Sequence, residues 1–362
     1  MNRWLRNALY LIAADYQRSS DTHLVRVEPP PANEVSLYLK DESTHPTGSL
    51  KHRLARSLFL YGLCNGHIRE GTTIVESSSG NTAVSEAYFA QLLGLPFVAV
   101  VPQGTSQKKI DQIAFYGGKC HFVPGHQIYA EAARLAAELD GHYLDQFTYA
   151  ERATDWRGNN NIAESIFEQM KCEPSPTPSW IVVSAGTGGT AATIGRYIRY
   201  KSFSTRLCVA DPSNSVFFDY FRTGDQKLVS DQTSNVEGIG RPRVEPSFNC
   251  AVIDKMIKVP DAAAYATLRF LEGILGRRCG GSTGTNAYAA LQLIASFEGG
   301  ELPASVVSMI CDGGDRYSDT YYDDAWLERH GFDLAPYTEQ LETFWETGVW
   351  NTLAGEEHRC IG

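Results

Sequence analysis

The amino-acid sequence predicts an α/β fold with three layers, two domains and mostly parallel sheets. Short apolar segments rich in β-branched residues alternate with amphipathic segments of helical spacing along most of the 362 residues. Such alternation is typical of repeated strand-helix-strand units, whose parallel sheets are covered by helices on both faces. The length suggests about two domains and is sufficient to bury a substantial core.

Eight segments are strand candidates, because each is short, apolar and bounded by polar or turn-forming residues. They are 35–39, 72–76, 97–101, 120–123, 143–147, 180–184, 207–210 and 306–311. Helix candidates lie between most of them, at 81–94, 106–117, 129–140 and 161–170, and a further helix is expected within 1–20. The chain after about Asp333 is too apolar for a disordered linker, so we expect it to pack on the body of the protein or on a partner subunit.

Composition and charge limit the functions that the chain can have. The formal net charge of -10 disfavours general binding to nucleic acid and to anionic membranes. Eight cysteines stand singly with no C-x-x-C pair, which favours free thiols in a reducing compartment over disulfides or a zinc site. Because no cleavage site follows the N-terminal segment and no apolar run reaches membrane-spanning length, we expect a cytoplasmic protein.

The segment from Pro46 to Arg53 joins a hydroxyl-bearing turn to a lysine. The apolar spacing that follows predicts that Lys51 lies in the first turn of a helix. There the positive end of the helix dipole, together with any desolvation, disfavours the charged amine. A neutral amine is what bond formation with an aldehyde cofactor requires. The alternative is an ordinary solvated lysine, and the motifs further along the chain decide between the two.

A second motif, Glu76 to Thr82, stands where a strand is predicted to end and a helix to begin. Ligands gather at the carboxyl ends of strands in α/β sheets. Three serines, a glycine and an asparagine offer hydroxyls, an amide and unpaired backbone N–H groups, which suit a carboxylate. The alternative is simple capping of the helix by Ser79 or Asn81.

A third motif, Gly186 to Thr190, follows a predicted strand and precedes a predicted helix. Its glycines allow backbone N–H groups to converge, and the helix dipole adds positive potential, so the loop suits a phosphate. It has no adjacent lysine and is therefore not a Walker loop. Because it fits G-x-G-x-x-[GA] and Asp211 ends the next strand candidate, a dinucleotide-binding dehydrogenase is a rival interpretation.

A fourth motif, Gly280 to Asn286, opens another helical segment. It is either a helix cap or the carrier of a functional hydroxyl. The dehydrogenase interpretation gives no role to this motif, to Lys51 or to the serine-rich loop. The order of all the motifs therefore matters more than any one of them.

That order resembles the fold-type II pyridoxal-phosphate enzymes, specifically the cysteine synthase and cystathionine β-synthase family. Matching segments run from about residue 21 to residue 317. Five motifs in the order of the family carry the resemblance: Pro46 to Lys51, Ser79 to Thr82, Gly186 to Thr190, Gly238 to Gly240 and Gly280 to Gly284. The resemblance implies a fold like that of the tryptophan synthase β subunit and pyridoxal 5′-phosphate as the cofactor.

The resemblance also implies roles for individual residues. Lys51 would be the catalytic lysine that binds the cofactor covalently, Asn81 would contact the cofactor's 3′ oxygen, and Ser282 would face its pyridine nitrogen. The cofactor's phosphate would be held by Gly186, Thr187, Gly188, Gly189 and Thr190. The substrate would be bound by Ser78, Ser79, Gly80, Thr82, Gln146 and Gly238. No metal is implied.

The same resemblance implies the division of the chain. A smaller α/β domain is expected at residues 40–148, with Lys51 and the substrate loop. A larger α/β domain is expected at 1–39 and 149–362, with the phosphate loop, Ser282 and a C-terminal extension. A homodimer is expected as well.

Departures from the common pattern narrow the interpretation. Common members of the family carry aspartate where this chain has His52, threonine where it has Ser78 and proline where it has His23. The stretch Tyr149 to Arg152 replaces the family's Asn-Pro-Ala-Asn. The family's serine and threonine dehydratases carry Gly-Asn-His where this chain has Gly-Asn-Thr, which counts against that branch.

Longer matching strings, around Lys51, from residue 236 to 247 and from 280 to 286, look like those of bacterial L-cysteine desulfhydrases. We therefore expect a carbon-sulfur lyase that releases sulfide, pyruvate and ammonia from L-cysteine. The close alternative is β-replacement, as in cysteine synthesis from O-acetylserine or cystathionine synthesis. A serine at the pyridine nitrogen makes the ring a weaker electron sink than a carboxylate would, which suits loss of a β-leaving group in either reaction. A catalytically silent ligand sensor is a third class, and it could have lost the lysine that this chain keeps.

Overall fold

The computed structural model describes residues 2–27, 35–297, 304–355 and 359–362. Its strands are β1 His23–Val27, β2 Val35–Asp41, β3 Ile74–Glu76, β4 Phe97–Pro102, β5 Lys119–Val123, β6 His142–Tyr143, β7 Trp180–Ser184, β8 Arg206–Pro212, β9 Lys255–Val259, β10 Ala304–Ile310 and β11 Cys360–Ile361. Its α-helices are α1 Arg3–Gln17, α2 Lys51–Cys64, α3 Asn81–Leu93, α4 Gln107–Phe115, α5 Ile128–Glu138, α6 Gln146–Ala153, α7 Ile162–Met170, α8 Gly189–Lys201, α9 Phe217–Thr223, α10 Asp261–Leu275, α11 Gly281–Ala295, α12 Asp324–Arg329 and α13 Ala335–Thr347. The predicted α/β fold with mostly parallel sheets is confirmed.

The chain divides into two compact units. The first comprises residues 1–21 and 45–155, and the second comprises residues 22–44 and 156–362. Residues 1–21, which were expected with the larger domain, lie in the first unit. The reason is the apolar face of α1, whose Ala8 and Ile12 are buried in the core of that unit. The hydroxyl of Tyr88 on α3 also donates a hydrogen bond to Asp15 at the end of α1 (2.6 Å).

The first unit is built on a four-stranded parallel sheet in the order β5-β4-β3-β6. Successive strand residues point to opposite faces, and the core follows that alternation. Ile74, Ala99 and Val101 pack with residues of α1, α2 and α3, whereas Val75 and Val100 pack with α5. The sheet is therefore covered by helices on both faces, as the sequence pattern predicts.

The second unit contains a seven-stranded sheet in the order β1-β2-β10-β7-β8-β9-β11. Its inner pairs are parallel, and the edge strands β1 and β11 are antiparallel to their neighbours. The side chains of β10 are buried along its whole length, as expected for a central strand covered on both faces. The C-terminal helix α13 packs on this unit through Leu341 and Phe344, so the predicted packing of the tail on the body of the protein is confirmed.

One predicted strand is largely wrong. Of residues 143–147, only Tyr143 belongs to a strand, as the second residue of His142–Tyr143, and Gln146 begins α6 instead. Asp145 adopts a left-handed backbone conformation (φ 46°), and its carboxylate accepts a hydrogen bond from the N–H of Thr148. Asp145, two residues after the end of the strand, is therefore the cap from which the helix starts. The sequence interpretation also missed β1, β9 and β11, of which the first and last are edge strands.

Candidate active site

Lys51 is the first residue of α2, as the sequence predicts. The chain reaches it through a tight turn, in which the N–H of Gly48 donates to the carbonyl of His45 (2.8 Å) and Gly48 has a φ of +74°. Glycine adopts that backbone conformation at little cost. Ser49 is completely buried, and its hydroxyl has no hydrogen-bond partner among the described residues. The turn therefore places a half-buried amine and a buried hydroxyl at the positive end of a 14-residue helix.

The turn before Lys51 is fixed against α3 by a buried polar chain. The Thr47 hydroxyl contacts Nδ1 of His52 (3.2 Å) and the hydroxyl of Ser85 (2.9 Å). The His52 ring also packs against the rings of Tyr88 and Phe89, at centroid distances of 5.3 and 4.9 Å. His52, which replaces the aspartate of common family members, thus positions the turn from within the core.

The serine-rich loop lies between β3 and α3, at the carboxyl end of the strand. Ser78, Ser79, Gly80 and Asn81 are each half-buried, so their polar groups can reach a ligand. The N–H of Gly80 donates to the hydroxyl of Ser78 (3.3 Å), and Asn81 begins the helix. Half-buried hydroxyls next to a helix N-terminus are groups suited to a carboxylate.

The same unit brings Gln146 to this loop, although Gln146 lies 64 residues from Thr82. The Thr82 hydroxyl donates to Oε1 of Gln146 (2.8 Å), and both side chains are buried. The two residues that were predicted to share a ligand therefore contact each other directly. The fold achieves this because β3 and β6 are parallel neighbours whose carboxyl ends meet at one edge of the sheet.

Two buried acids beneath this loop were missed by sequence reasoning. Glu76 ends β3, Glu86 lies in the middle of α3, and both are fully buried. Burial raises the pKa of Glu76 to about 7, against hydrogen bonds that lower it, and burial raises the pKa of Glu86 well above its usual value. The sequence did contain a signal that Glu86 is buried. Glu86 stands at helical spacing from Ala83 and Ala90, and therefore on the apolar face of its helix.

In the second unit, the loop Gly186 to Thr190 joins β7 to the N-terminus of α8. A Cβ on Gly186 would lie 2.2 Å from the carbonyl oxygen of Gly238, and a Cβ on Gly188 would lie 2.8 Å from Cα of Phe248. Gly188 also has a φ of +87°. The loop is thus shaped by backbone packing that only glycine allows, and it presents the start of a 13-residue helix. A phosphate group fits this kind of loop.

Hydrogen bonds from neighbouring segments hold the predicted phosphate loop and the residues around Gly238. The buried hydroxyl of Ser247 donates to the carbonyl of Thr187, and the N–H of Gly240 donates to the carbonyl of Ala185 (2.8 Å). The hydroxyl of Tyr321 accepts from the N–H of Glu237 (2.9 Å). The structure therefore brings the predicted residue Gly238 beside the predicted phosphate loop.

Ser282 lies in the first turn of α11 and is 7% exposed. The loop before it is held in place, since the N–H of Gly280 donates a hydrogen bond to the carbonyl of Asp312 (3.1 Å). A Cβ on Gly280 would collide with the Asp312 carboxylate, which accepts a hydrogen bond from Tyr317 (2.8 Å). The position of the Ser282 backbone is therefore fixed by glycine packing, as in the phosphate loop.

Asp211 argues against the dehydrogenase interpretation. Its side chain is fully buried, and Oδ2 accepts a hydrogen bond from the backbone N–H of Phe218 near the start of α9 (2.9 Å). Burial raises its pKa to about 6. A dinucleotide site needs an acidic group that can reach a ribose, and Asp211 instead stabilises a helix N-terminus inside the core.

The described residues were also compared with what disulfides, a metal site or a membrane span would require. All eight cysteines are free thiols. The described part of the chain contains no cluster of three or more His, Cys, Asp or Glu side chains that could hold a metal ion. Within the same residues, no helix is long and apolar enough to cross a membrane.

Comparison with known proteins identifies the family. Residues 17–312 match the family model described as pyridoxal-phosphate dependent enzyme. The chain is 59% identical over 352 residues to the L-cysteine desulfhydrase Cds1 of Mycobacterium tuberculosis, covering 96% of each protein. It is 29% identical to a putative cysteine synthase of Sinorhizobium fredii, covering 83% of this chain and 87% of that protein. The solved structure of an O-ureido-L-serine synthase matches with a TM-score of 0.73 at 28% identity, covering 85% of this chain and 96% of that one. The chain therefore belongs to the family of pyridoxal-phosphate dependent enzymes.

Proposed function

We propose that this enzyme is an L-cysteine desulfhydrase, which converts L-cysteine and water to sulfide, pyruvate and ammonia. The observation that carries the proposal is the 59% identity to such an enzyme over 96% of both chains. Every motif of the predicted site falls within residues 17–312, which match the family model. A small amino acid as substrate is consistent with the family.

The cofactor would be held by residues that fit its groups. The glycine loop 186–190 would bind the phosphate through backbone N–H groups and the positive end of α8. Asn81 would contact the 3′ oxygen, and Ser282 would contact the pyridine nitrogen. When bound, pyridoxal phosphate supplies an aldehyde that reacts with amines and a ring that withdraws electrons from the substrate's Cα.

Lys51 is proposed as the residue that moves protons. As the amine at the first position of α2, it would bind the cofactor in the resting enzyme and afterwards remove the Cα proton of cysteine. Loss of that proton provides the electron pair that breaks the Cβ–S bond, and the sulfur leaves with the bonding pair as sulfide. The released three-carbon enamine then takes up water to give pyruvate and ammonia.

The substrate's carboxylate would be bound in the first unit. Ser78, Ser79, Gly80 and Thr82 offer hydroxyl and backbone donors at the start of α3, and the Gln146 amide can add another. Binding would require the Thr82 hydroxyl to exchange its bond to Gln146 for one to the substrate. Gly238, at an exposed turn with a φ of +83°, is proposed as a further substrate-binding residue.

A second candidate function is β-replacement, in which another nucleophile adds after the first leaving group departs. The similarity to a putative cysteine synthase and to an O-ureido-L-serine synthase favours this candidate, at 29% and 28% identity. The proton transfer by Lys51 is common to both reactions, so the site residues do not distinguish them.

We also propose that the enzyme acts in the cytoplasm as a homodimer that binds neither nucleic acid nor membranes. The eight free thiols support a reducing compartment, and the net charge of -10 disfavours polyanions. The homodimer follows from the family resemblance. Light scattering coupled to size-exclusion chromatography should give a molar mass of about twice the chain mass of 40.0 kDa.

A product assay tests the proposed function. The purified enzyme is supplied with L-cysteine, with O-acetylserine plus sulfide, and with L-cysteine plus homocysteine, and the products of each are quantified. We expect equal amounts of sulfide and pyruvate from L-cysteine alone, at a higher kcat/KM than either replacement reaction. Faster cysteine formation from O-acetylserine, or cystathionine formation without pyruvate, would overturn the proposal in favour of β-replacement.

A further inference from the structure

The fully buried carboxylate of Glu76 connects the two segments of the substrate loop. Its Oε1 accepts hydrogen bonds from the N–H of Ser77 (2.7 Å) and from the hydroxyl of Ser77 (3.1 Å). Its Oε2 accepts from the backbone N–H of Gln146 (3.2 Å). One carboxyl group therefore fixes both the residue that begins the serine-rich loop and the residue that begins α6.

These bonds are part of a closed ring. From Glu76 the chain runs through Ser77 and the loop to Thr82, whose hydroxyl bonds the Gln146 side chain, and the Gln146 N–H returns to Glu76. Tyr143 supports the ring, because its hydroxyl lies 2.7 Å from that of Ser77. A shift of either segment must therefore break a hydrogen bond to Glu76 in a site from which water is excluded, where such bonds are costly to lose.

Glu86 indicates which of the two buried acids carries the charge. Neither oxygen of Glu86 has a hydrogen-bond partner among the described residues, whereas Glu76 receives three donors. Two adjacent buried carboxylates cannot both ionise cheaply. A protonated Glu86 beside an ionised Glu76 avoids two adjacent buried charges and leaves Glu76 to accept its three hydrogen bonds.

We propose that Glu76 is a positioning residue, whose ionised carboxyl holds the serine-rich loop and Gln146 in the geometry that binds the substrate's carboxylate. Glu76 only accepts hydrogen bonds, so it cannot bind that carboxylate itself and acts through Ser77 and Gln146. The identity of the substrate rests on the proposed function, but the link between Glu76 and Gln146 does not.

The test compares Glu76→Gln with the wild-type holoenzyme. The amide keeps the size of the side chain and one acceptor oxygen, but its NH2 group would face the N–H of Gln146, which leaves two donors opposed. Hydrogen exchange of the Gln146 amide, measured by mass spectrometry in a peptide that begins several residues before it, should become at least about tenfold faster, the scale expected when a bond to a charged group is lost. The KM for L-cysteine should rise by about tenfold while kcat stays within a few-fold, with unchanged cofactor absorbance.

Two controls separate positioning from general loss of a buried charge. Glu42→Gln removes an equally buried carboxylate in the second unit, where it accepts the Thr22 hydroxyl, a bond that an amide oxygen can also accept. Glu86→Gln keeps all three donors to Glu76. Both should leave Gln146 exchange and the KM close to their wild-type values.

If Glu76→Gln does not fold, Glu76→Asp provides the same test, because it keeps the charge but withdraws the carboxyl by one methylene from Gln146. Wild-type exchange at Gln146 in the variant that folds, or an unchanged KM with reduced kcat, would overturn the proposal. Equal increases in the Glu42 and Glu76 variants would also overturn it. Failure of the wild type to release sulfide from L-cysteine would instead contradict the proposed function, while the exchange measurement, which needs no substrate, would still decide the role of Glu76.

Discussion

Each of the two units contains a loop between a strand and a helix that is proposed to bind an anion, and the two loops are held in different ways. The loop from Ser77 to Thr82 is held by side chains, through the bonds of Glu76 and Gln146. The loop from Gly186 to Thr190 is held mainly by backbone packing, since any Cβ on Gly186 or Gly188 would collide with neighbouring backbone, and one side chain, Ser247, also bonds the Thr187 carbonyl.

This difference matches the ligands proposed for the two loops. Close packing has few alternative arrangements, which suits a cofactor phosphate that stays bound through many turnovers. Side-chain hydrogen bonds can be exchanged one at a time, which suits a substrate that binds and leaves in every cycle. The comparison is consistent with the proposal that the second unit binds the cofactor's phosphate and the first unit binds the substrate's carboxylate.

Replacement of Lys51 by alanine should give the largest effect. Turnover should fall by at least the roughly 10²- to 10⁴-fold typical of a lost general base, and by more because the covalent bond to the cofactor is also lost. Cofactor should still bind through the second unit, and its content can be measured after dialysis. Lys119→Ala, at an exposed position of β5, is the control and should keep full activity. Activity of the Lys51 variant within a few-fold of wild type would remove this lysine from the mechanism.

The second effect in size should come from Gly188→Asp in the phosphate loop. The substitution adds a Cβ that would lie only 2.8 Å from Cα of Phe248, and it adds a negative charge beside the proposed phosphate site. Cofactor affinity, measured by titration of the apoenzyme, should fall steeply.

Gly224→Asp is the matched control. Gly224 also has a positive φ (+72°), but a Cβ there would meet nothing within 4 Å. It shares the backbone strain without the collision, so its cofactor affinity should be unchanged. Equal losses of cofactor affinity in both variants would mean that the loop 186–190 only starts a helix and does not bind the phosphate.

A moderate effect is expected at Ser282. Ser282→Asp should draw a proton onto the pyridine nitrogen, because a carboxylate favours the charged ring, and elimination should slow as carbanionic charge is stabilised. Ser282→Ala should change the rate by roughly tenfold at most, since one net hydrogen bond is worth about 0.5 to 1.5 kcal/mol. Rapid-scanning spectra with L-cysteine compare the two. Identical spectra and rates would mean that Ser282 does not contact the ring.

The smallest effect should be a gain in stability from Glu86→Gln. Burial raises the pKa of Glu86 in the folded protein, so the folded state holds a proton that the unfolded state releases above its ordinary pKa of 4.5. Keeping this proton in the folded state costs free energy once the unfolded state would release it. The cost is absent below pH 4.5 and grows as the pH rises, so the wild type loses stability with rising pH. The variant should therefore unfold a few degrees higher than the wild type at pH 8, with a smaller gain at pH 5. A gain independent of pH would contradict the cause given.

The sequence predicted the features that are local in the chain. Four features could each be predicted from a short motif next to a change in hydrophobic periodicity. They are the start of α2 at Lys51, the loops before α3 and α8, and the start of α11. The prediction for 143–147 was wrong, because Asp145 caps a helix within a segment whose composition favours a strand. Burial of Glu86 had a signal in its place on the apolar face of its helix, whereas burial of Glu76 was not predictable, since it depends on how β6 lies against β3 and its partner Gln146 is 70 residues away.

The central claim is that Lys51 carries the cofactor. Purified holoenzyme is reduced with borohydride, digested and analysed by peptide mass spectrometry. The account predicts loss of the yellow colour and a pyridoxyl phosphate group on the peptide that contains Lys51, in about one copy per chain, and no label at this position in Lys51→Ala. A stable label on another lysine, or an unlabelled Lys51 in protein that contains cofactor, would contradict it.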